Sequence, residues 1–277
     1  MRCGVVGHVE LVEFAVVERL PRPGEILHAR ERFVEAAGGG AVAAVWMARL
    51  LGGASFFTAL GDDAAGEQAA ARLRELGVDL HAAVHARPQR RAFTFLDDAA
   101  ERTITIMGER LVPLGADPLP WEAIGALDAV YVTGGDAAAL RAARAARVVV
   151  ATSRAMPALG ESGIAVDALV LSADDPAERA AEAALSTPPA LVVRTRGAEG
   201  GEWVAHEGRT GTWASTELPG DRVDAYGCGD TFAAGLTMAL GAGLEPAAAL
   251  DYAARCGAMV LTGCGPYGAT PSAGPPA

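Results

Sequence analysis

Cysteine and histidine are scarce in this sequence, and the few that occur are scattered along the chain. The 277 residues include four cysteines (Cys3, Cys228, Cys256 and Cys264), whose spacings fit neither a zinc site nor a disulfide framework. The five histidines form no cluster that suggests a metal site or a catalytic triad. We therefore expect reduced thiols, a cytoplasmic location and chemistry that depends on other side chains.

Long apolar runs and basic runs are missing as well. The most apolar region, AVAAVWMARLLGGASFF, is interrupted by Arg49 and by glycines, so it does not predict a membrane-spanning helix. The formal charge is −11 with no local basic stretch, which argues against a nucleic-acid-binding surface. The chain opens with the strand-like segment CGVVGHV, and we expect no secretory leader.

Strand-like and helix-like segments alternate over most of the chain. This alternation predicts an α/β fold with a mostly parallel sheet covered by helices on both faces. Two regions, near residues 9–35 and 88–107, instead show the apolar–polar alternation of half-exposed strands and predict a small separate sheet at one end. We expect one domain over residues 1–268 and a disordered Pro/Gly/Ala-rich tail over 269–277.

The segment DAYGCGDTFAAG places a glycine-rich turn directly before an apolar helix. Gly227, Cys228 and Gly229 are predicted to precede a helix whose first residues are Asp230 and Thr231. Free N–H groups at such a helix start carry partial positive charge, and glycines allow close approach of a phosphate. Asp230 then has two interpretations: it stabilises the helix end, or it takes a proton from a hydroxyl beside a bound anion.

This segment resembles the C-terminal signature of the ribokinase (PfkB) family of carbohydrate kinases, D-T-x-G-A-G-D-x-F. The matching positions are Asp224, Gly227, Gly229, Asp230 and Phe232. Ala225 and Cys228 replace the usual Thr and Ala, and both are small. The resemblance implies a ribokinase-like three-layer α/β/α sandwich with a small β-sheet lid. It also implies that Asp230 is the catalytic base and that the N–H groups of Gly227, Cys228 and Gly229 form an anion hole for the γ-phosphate.

Two further segments are similar to the family in the expected order. ERLPRPGEILHARERFVEAAGGGAVAAVWMARLLG resembles its first signature region, which makes 38–40 the point where the backbone approaches the substrate; packing or helix capping is the alternative for these glycines. The three residues are Gly38, Gly39 and Gly40. VVRTRGAEGG is similar to the T-x-G-x-x-G segment that meets nucleotide phosphates, although many such patterns are ordinary turns. Its candidate nucleotide-binding residues are Thr195, Arg196, Gly197 and Gly200.

The resemblance also indicates metal ions. LSADDPAER lies where the family commonly has N-x-x-E, which organises water around Mg²⁺; here Ser172 and Asp175 would do so. The alternative is that Ser172 or Asp174 caps the following helix. CGAMVLTGCGPYG resembles the last helix and loop, which border the adenine and often a monovalent cation, or it is simply a buried helix with a glycine stop.

The acceptor end departs from the family pattern. Val12 and Ala43 occupy the positions of the usual polar sugar contacts, so we expect an acceptor other than ribose. Glu10 shares a strand face with Val12 and is a candidate substrate ligand, or else a solvated strand-edge acid. Arg90 would suit an acceptor that carries phosphate or carboxylate, or lies on an exposed edge strand. Asp136 follows a strand end where α/β sheets bind ligands, or caps the next helix.

These features predict an ATP- and Mg²⁺-dependent kinase that phosphorylates a hydroxyl of a small sugar or sugar-like metabolite. Two alternatives stay open: a non-catalytic metabolite-binding or regulatory relative, and a nucleoside kinase of the same fold. We expect a small-molecule substrate and neither a nucleic-acid nor a membrane partner. Association into a homodimer through the small sheet is a hypothesis, because an exposed sheet edge favours pairing.

Overall fold

The computed structural model describes residues 1–276, and their strands form two separate sheets. The strands are β1 (Cys3–Val6), β2 (Glu10–Val16), β3 (Glu31–Ala37), β4 (Ala54–Gly61), β5 (Val78–His85), β6 (Arg91–Leu96), β7 (Arg102–Met107), β8 (Ala129–Val132), β9 (Val148–Thr152), β10 (Ala168–Ser172), β11 (Leu191–Thr195), β12 (Gly201–Ala205) and β13 (Thr210–Trp213). The α-helices are α1 (Gly39–Leu51), α2 (Ala64–Glu75), α3 (Ala137–Ala143), α4 (Met156–Ser162), α5 (Pro176–Ala183), α6 (Cys228–Gly241) and α7 (Pro246–Val260).

The central sheet has nine strands in the order β13-β12-β11-β10-β9-β8-β1-β4-β5. From β5 to β11 every neighbouring pair is parallel, and β12 and β13 extend that edge in antiparallel pairs. Helices cover both faces, so β1 and β8 are completely buried, as their unbroken apolar sequences require. Helices α1, α6 and α7 pack on one face, and α3 and α4 on the other. The predicted α/β fold with a mostly parallel sheet is confirmed.

The small sheet has four strands in the order β3-β2-β6-β7. Strands β2 and β6 are parallel, whereas the β2–β3 and β6–β7 pairs are antiparallel. Phe14 of β2 anchors the sheet, since its ring stacks on Phe33 at 4.8 Å and meets Tyr226 edge-on at 4.9 Å. Strand β7 forms the outer edge, and all six of its residues are exposed.

Two element boundaries differ from the sequence prediction. Helix α6 begins at Cys228, so Cys228 and Gly229 belong to its first turn rather than to the preceding loop. Strand β3 begins at Glu31, because the preceding stretch with its prolines and glycine forms turns. The predicted tail carries no helix or strand over 269–276, and Gly274 accepts a hydrogen bond from Tyr252 Oη at 2.8 Å; residue 277 lies outside the described residues.

No helix within residues 1–276 is both long enough and apolar enough to cross a membrane.

Candidate active site

A cleft of about 520 Å³ lies between the central sheet and the small sheet. The carboxyl ends of parallel strands form one wall, with Thr152, Ser172 and Thr195 as the last residues of β9, β10 and β11. Ile104 and Ile106 of β7 form part of the opposite wall. Open α/β sheets bind ligands at this edge, because the loops that follow parallel strands meet there.

The start of α6 borders the cleft through Gly227, Gly229 and Asp230, whereas Cys228 is not among the residues that line it. Gly227 caps the helix with a left-handed φ of 81°, and a side chain here would lie 2.9 Å from Val42 Cγ1. An α-helix leaves its first four N–H groups without an intrahelical acceptor, here those of Gly227, Cys228, Gly229 and Asp230. Nothing lies within 4 Å of the position a Gly229 side chain would occupy. The turn therefore offers an anion an open approach to backbone donors.

The side chain of Asp224 fixes the conformation of this turn through hydrogen bonds to the backbone. Its buried carboxylate accepts hydrogen bonds from the N–H groups of Tyr226, at 2.6 Å, and Gly265. Burial raises the pKa of Asp224, and the two backbone donors oppose that shift. Tyr226 Oη in turn accepts a hydrogen bond from Gly38 N at 3.4 Å. The turn before α6 is thus tied both to the chain end and to the glycine segment before α1.

Asp230 lies in the first turn of α6 with its carboxylate at the cleft. Its side chain is 21% exposed, and Oδ1 lies 3.7 Å from Arg154 Nη1. Burial raises the pKa of Asp230, while Arg154 and Arg102 act in the opposite direction. A carboxylate that is partly withdrawn from water is a stronger base than one in solvent, which suits proton abstraction.

The three glycines before and within α1 have different surroundings. A Cβ atom on residue 39 would lie 2.7 Å from Asp230 Oδ1. Because Gly39 has no side chain, the carboxylate of Asp230 can pack directly against the backbone here. Gly38 has a φ of 84° and also lines the cleft. Gly40 instead packs against the chain after β1, where a Cβ would lie 2.6 Å from His8 O. Gly40 therefore serves packing, whereas Gly38 and Gly39 line the cleft.

The acceptor end of the cleft combines His8, Glu10 and Arg90. Glu10 Oε1 lies 3.1 Å from Arg90 Nε and 3.7 Å from His8 Nε2. Burial raises the pKa of Glu10, and Arg90 is the strongest influence in the opposite direction. Burial together with Arg110, Arg154 and Arg90 lowers the pKa of His8 well below its usual value, so His8 is neutral.

The segment after β11 is divided between the cleft and the surface. Thr195 lines the cleft, whereas Arg196 pairs with Glu202 at 2.8 Å on the exterior. Gly200 has a φ of 84°, and a Cβ there would lie 2.0 Å from Trp213 O, so this glycine permits contact with β13. Gly197 also has a positive φ, of 54°, and faces open space.

The two predicted magnesium-associated residues are separated. Ser172 lines the cleft, but the carboxylate of Asp175 caps α5, accepting from the N–H groups of Ala177 and Glu178. Neither Ser172 nor Asp174 is the cap. The acid that reaches the cleft is Glu178, whose carboxylate accepts from Ser153 Oγ at 2.6 Å and from Ser172 N at 2.7 Å. The sequence analysis missed Glu178 because its position within a helix carries no motif.

One protein family matches nearly the whole chain. Residues 2–176 and 166–273 match the model described as pfkB family carbohydrate kinase. The chain belongs to the PfkB family. No curated protein sequence matches it.

Solved structures show the ribokinase-like fold for this PfkB protein. Ribokinase from Thermotoga maritima is 20% identical with a TM-score of 0.73, covering 96% of this chain and 94% of that one. Arabidopsis thaliana ribokinase complexed with ribose and ATP is 20% identical with a TM-score of 0.70, covering 94% and 92%. The tetrameric inhibited form of phosphofructokinase-2 from Escherichia coli is 16% identical with a TM-score of 0.72, covering 94% of each chain.

Three residues considered at the acceptor end of this PfkB protein lie outside the cleft. Val12 and Ala43 are fully buried in the hydrophobic core, at 0% exposure. Asp136 caps α3 and accepts from the N–H groups of Ala139 and Gly115, both at 2.8 Å. Of the two interpretations of Asp136, the structure therefore supports the helix cap.

Several cleft residues of this PfkB protein were not identified from the sequence. They are Tyr226, Glu178 and the arginines Arg102, Arg110 and Arg154. Arg154 had a detectable signal, because it lies two residues after the end of a predicted strand, RVVVAT. Arg110 had none, since it lies in a loop with no recognisable pattern.

Proposed function

We propose that this chain is an ATP-dependent kinase that phosphorylates a hydroxyl of a small sugar or sugar-like metabolite. Membership of a carbohydrate kinase family supports this proposal. The observation that carries it is the position of the Asp230 carboxylate beside the free N–H groups of the α6 first turn, in one cleft. Phosphoryl transfer needs these two elements together, a base for the hydroxyl and donors for the migrating phosphoryl group.

Asp230 would act as the general base. The acceptor hydroxyl gives its proton to Asp230, and its oxygen forms a bond to the γ-phosphorus of ATP. The bond between that phosphorus and the bridging oxygen breaks, and its electron pair leaves with ADP. Burial, which raises the pKa of Asp230, makes the carboxylate a better proton acceptor, and the nearby Arg154 favours its ionised form.

The N–H groups of Gly227, Cys228 and Gly229 would form the anion hole. Negative charge on the transferred group develops next to them, where the helix dipole also favours it. Because Gly229 has no side chain and nothing lies within 4 Å of the position where its Cβ would be, the phosphoryl group can approach the backbone closely. These donors are held in place before the reaction, so stabilising the charge requires no reorganisation.

The nucleotide would extend from the anion hole along the ends of β10 and β11. Thr195 lines this side and would contact the phosphates. Within residues 1–276 no group of three or more acids, histidines and cysteines could hold a metal by itself. Mg²⁺ commonly binds through substrate phosphates, water and one or two carboxylates, and Glu178 and Ser172 fit that role. The ion would offset charge on the phosphates.

A non-catalytic metabolite-binding relative is the second candidate. The sequence favours it by placing Val12 and Ala43 at the positions of the usual polar sugar contacts, but both side chains lie in the core outside the cleft and give it no support. Asp230 opposes it, since a binding protein gains nothing from a basic carboxylate at an anion site. Glu10, on the same strand face as Val12, supplies a polar group at this end of the cleft and supports the kinase.

The test is ATP turnover by the purified chain with Mg²⁺ and a panel of sugars, polyols, sugar phosphates, sugar acids and nucleosides. ADP release that depends on one acceptor class, with a phosphorylated product identified by mass spectrometry, supports the kinase. Tight acceptor binding without ADP release supports the binding protein. A preference for nucleosides would change the acceptor class and leave phosphoryl transfer intact.

A further inference from the structure

Three arginines from separate parts of the chain converge on the acceptor end of the cleft. Arg90 directly precedes β6, Arg110 follows β7, and Arg154 lies beyond the end of β9. All three act electrostatically on the buried His8 and on Glu10. The small sheet supplies two of them and the central sheet supplies one, so the cluster forms only when the two sheets are assembled.

The charge of the cleft is opposite to that of the whole protein. The chain has a formal charge of −11, yet the cleft is lined by more arginines than acids. The charged lining residues, apart from His8, are Arg90, Arg102, Arg110, Arg154, Glu10, Glu178 and Asp230. Four cationic groups against three carboxylates leave a positive site in an acidic protein. Such a site attracts anionic ligands, whereas a neutral sugar gains nothing from the excess positive charge.

Carboxylates pair with Arg90 and Arg154 of this cluster but, within residues 1–276, leave donors on the arginines without a hydrogen-bond partner. Among the described residues, Arg110 makes no ion pair and its side chain makes no hydrogen bond. The Arg90 side chain is 13% exposed, and its buried Nε has no hydrogen-bond partner although Glu10 Oε1 is 3.1 Å away. Arg110 is an exposed residue, but partial loss of hydration in the cleft and the like charges of Arg90 and Arg154 lower its pKa. Assembling these repelling groups around a cleft costs free energy that a bound anion would recover.

The nucleotide does not account for all three arginines. Arg154 Nη1 lies 3.7 Å from Asp230 Oδ1, and the charges of Asp230 and Glu178 both raise the pKa of Arg154. Because it lies beside the proposed base, Arg154 is within reach of the transferred phosphoryl group. Arg90 belongs to the Glu10 and His8 group, and its charge and that of Arg110 act on Glu10. Glu10 is the acid that the sequence analysis names as a candidate substrate ligand, and it lines the cleft. A second anion at the acceptor end explains Arg90 and Arg110.

We infer that the acceptor carries its own anionic group, a phosphate ester or a carboxylate, bound by Arg90 and Arg110 with Arg154 between it and the transferred phosphoryl group. This inference rests on the proposed kinase function. Guanidinium groups bind both anions through paired N–H donors, so the cluster fits a sugar phosphate or a sugar acid. Arg90 and Arg110 are positioned to determine specificity, and neither takes part in proton transfer.

The first experiment compares matched acceptors that differ in one group: a set of hexoses, their 6-phosphates and the corresponding hexonic acids. ADP release should be faster by kcat/KM with one of the two anionic sets, and the set that is used identifies phosphate or carboxylate. Equal or better use of the neutral hexoses overturns the inference and leaves the kinase proposal intact. If no acceptor is phosphorylated, the kinase proposal fails for this panel, and calorimetric binding of the same three sets decides the inference: anionic sets that bind no better than neutral ones overturn it.

The second experiment replaces Arg110, which is exposed and makes no ion pair in the described chain, so its removal should leave the fold intact. Arg110→Ala should raise KM for the anionic acceptor, or its Kd if no turnover occurs, by about 10- to 100-fold. The KM for ATP should stay within about two-fold, and Arg110→Lys should restore part of the loss. Arg91→Ala is the matched control, because Arg91 is exposed on β6 outside the cleft. An equal effect of the two alanine variants, or a loss confined to ATP, refutes the assignment.

Discussion

Asp230→Asn tests the proposed chemistry most directly. The change keeps the size of the side chain and removes its ability to accept a proton. General base catalysis contributes about 10²- to 10⁴-fold to rate, so kcat should fall by that factor, which corresponds to about 3–5 kcal/mol in activation free energy. Nucleotide affinity should not fall, because a carboxylate beside the anion hole repels phosphate and the amide does not. ADP release in a coupled assay and calorimetric ATP binding measure the two effects.

The pH dependence of the wild-type enzyme provides a second measurement for Asp230. Because burial raises the pKa of this carboxyl, and a base must be ionised to act, kcat should fall as the pH drops through that raised value. Asp230→Asn should lack this acidic limb. The stability of the fold depends on pH in the opposite direction to kcat. Because the pKa of Asp230 is higher in the folded than in the unfolded state, ionisation of this carboxyl destabilises the fold as the pH rises. The Asp230→Asn variant should therefore be at least as stable as the wild type at pH 7.

Asp136→Asn is the matched control for Asp230. Asp136 caps α3 outside the cleft, and asparagine caps a helix about as well as aspartate, so activity and stability should be unchanged. If Asp230→Asn retains nearly full kcat, or if both variants lose activity equally, Asp230 is not the base and the mechanism is wrong.

Three further predictions concern the surroundings of Asp230. Gly39→Ala would bring the new Cβ to 2.7 Å from Asp230 Oδ1, so it should displace this carboxylate and lower kcat on the order of 10²-fold. Gly160→Ala is the control and should leave kcat unchanged, because no atom lies within 4 Å of its new Cβ. Steady-state kinetics of the two variants distinguishes these outcomes. Asp224→Ala leaves two buried N–H groups unpaired and should cost about 2–4 kcal/mol, lowering Tm by roughly 4–16 °C in a thermal melt, and an unchanged Tm would contradict this. Glu178→Gln should raise the Mg²⁺ concentration needed for half-maximal activity several-fold, whereas an unchanged Mg²⁺ titration would remove Glu178 from the metal's surroundings.

The sequence was sufficient where the evidence is local. Alternation of apolar strands and amphipathic helices predicted the parallel sheet, since burial on both faces demands unbroken apolar strands. Strand β5 and helix α4 escaped prediction. Strand β5 mixes charged and apolar residues because it is an edge strand, and α4 is a short helix with a proline in its first turn.

The candidate site divides in the same way. The glycine turn and Asp230 are adjacent in the chain, so their pattern predicts an anion-binding helix start. Asp175 and Glu178 are three residues apart on or beside one helix, and which of them reaches the cleft depends on how α5 is rotated against β10. That rotation is set by packing against the sheet, and no residue near Asp175 encodes it locally.

By itself, the sequence determined the order of most strands and helices, the glycine turn before α6 and the presence of an acid, Asp230, in the first turn of that helix. Each of these features depends on residues that are neighbours in the chain. The tertiary structure alone decided which charges meet. Arg90, Arg110 and Arg154 come together because the small sheet folds over the carboxyl ends of the central strands. Coulomb interactions act through space, so the electrostatics of the cleft exist only after residues distant in sequence have been packed against one another.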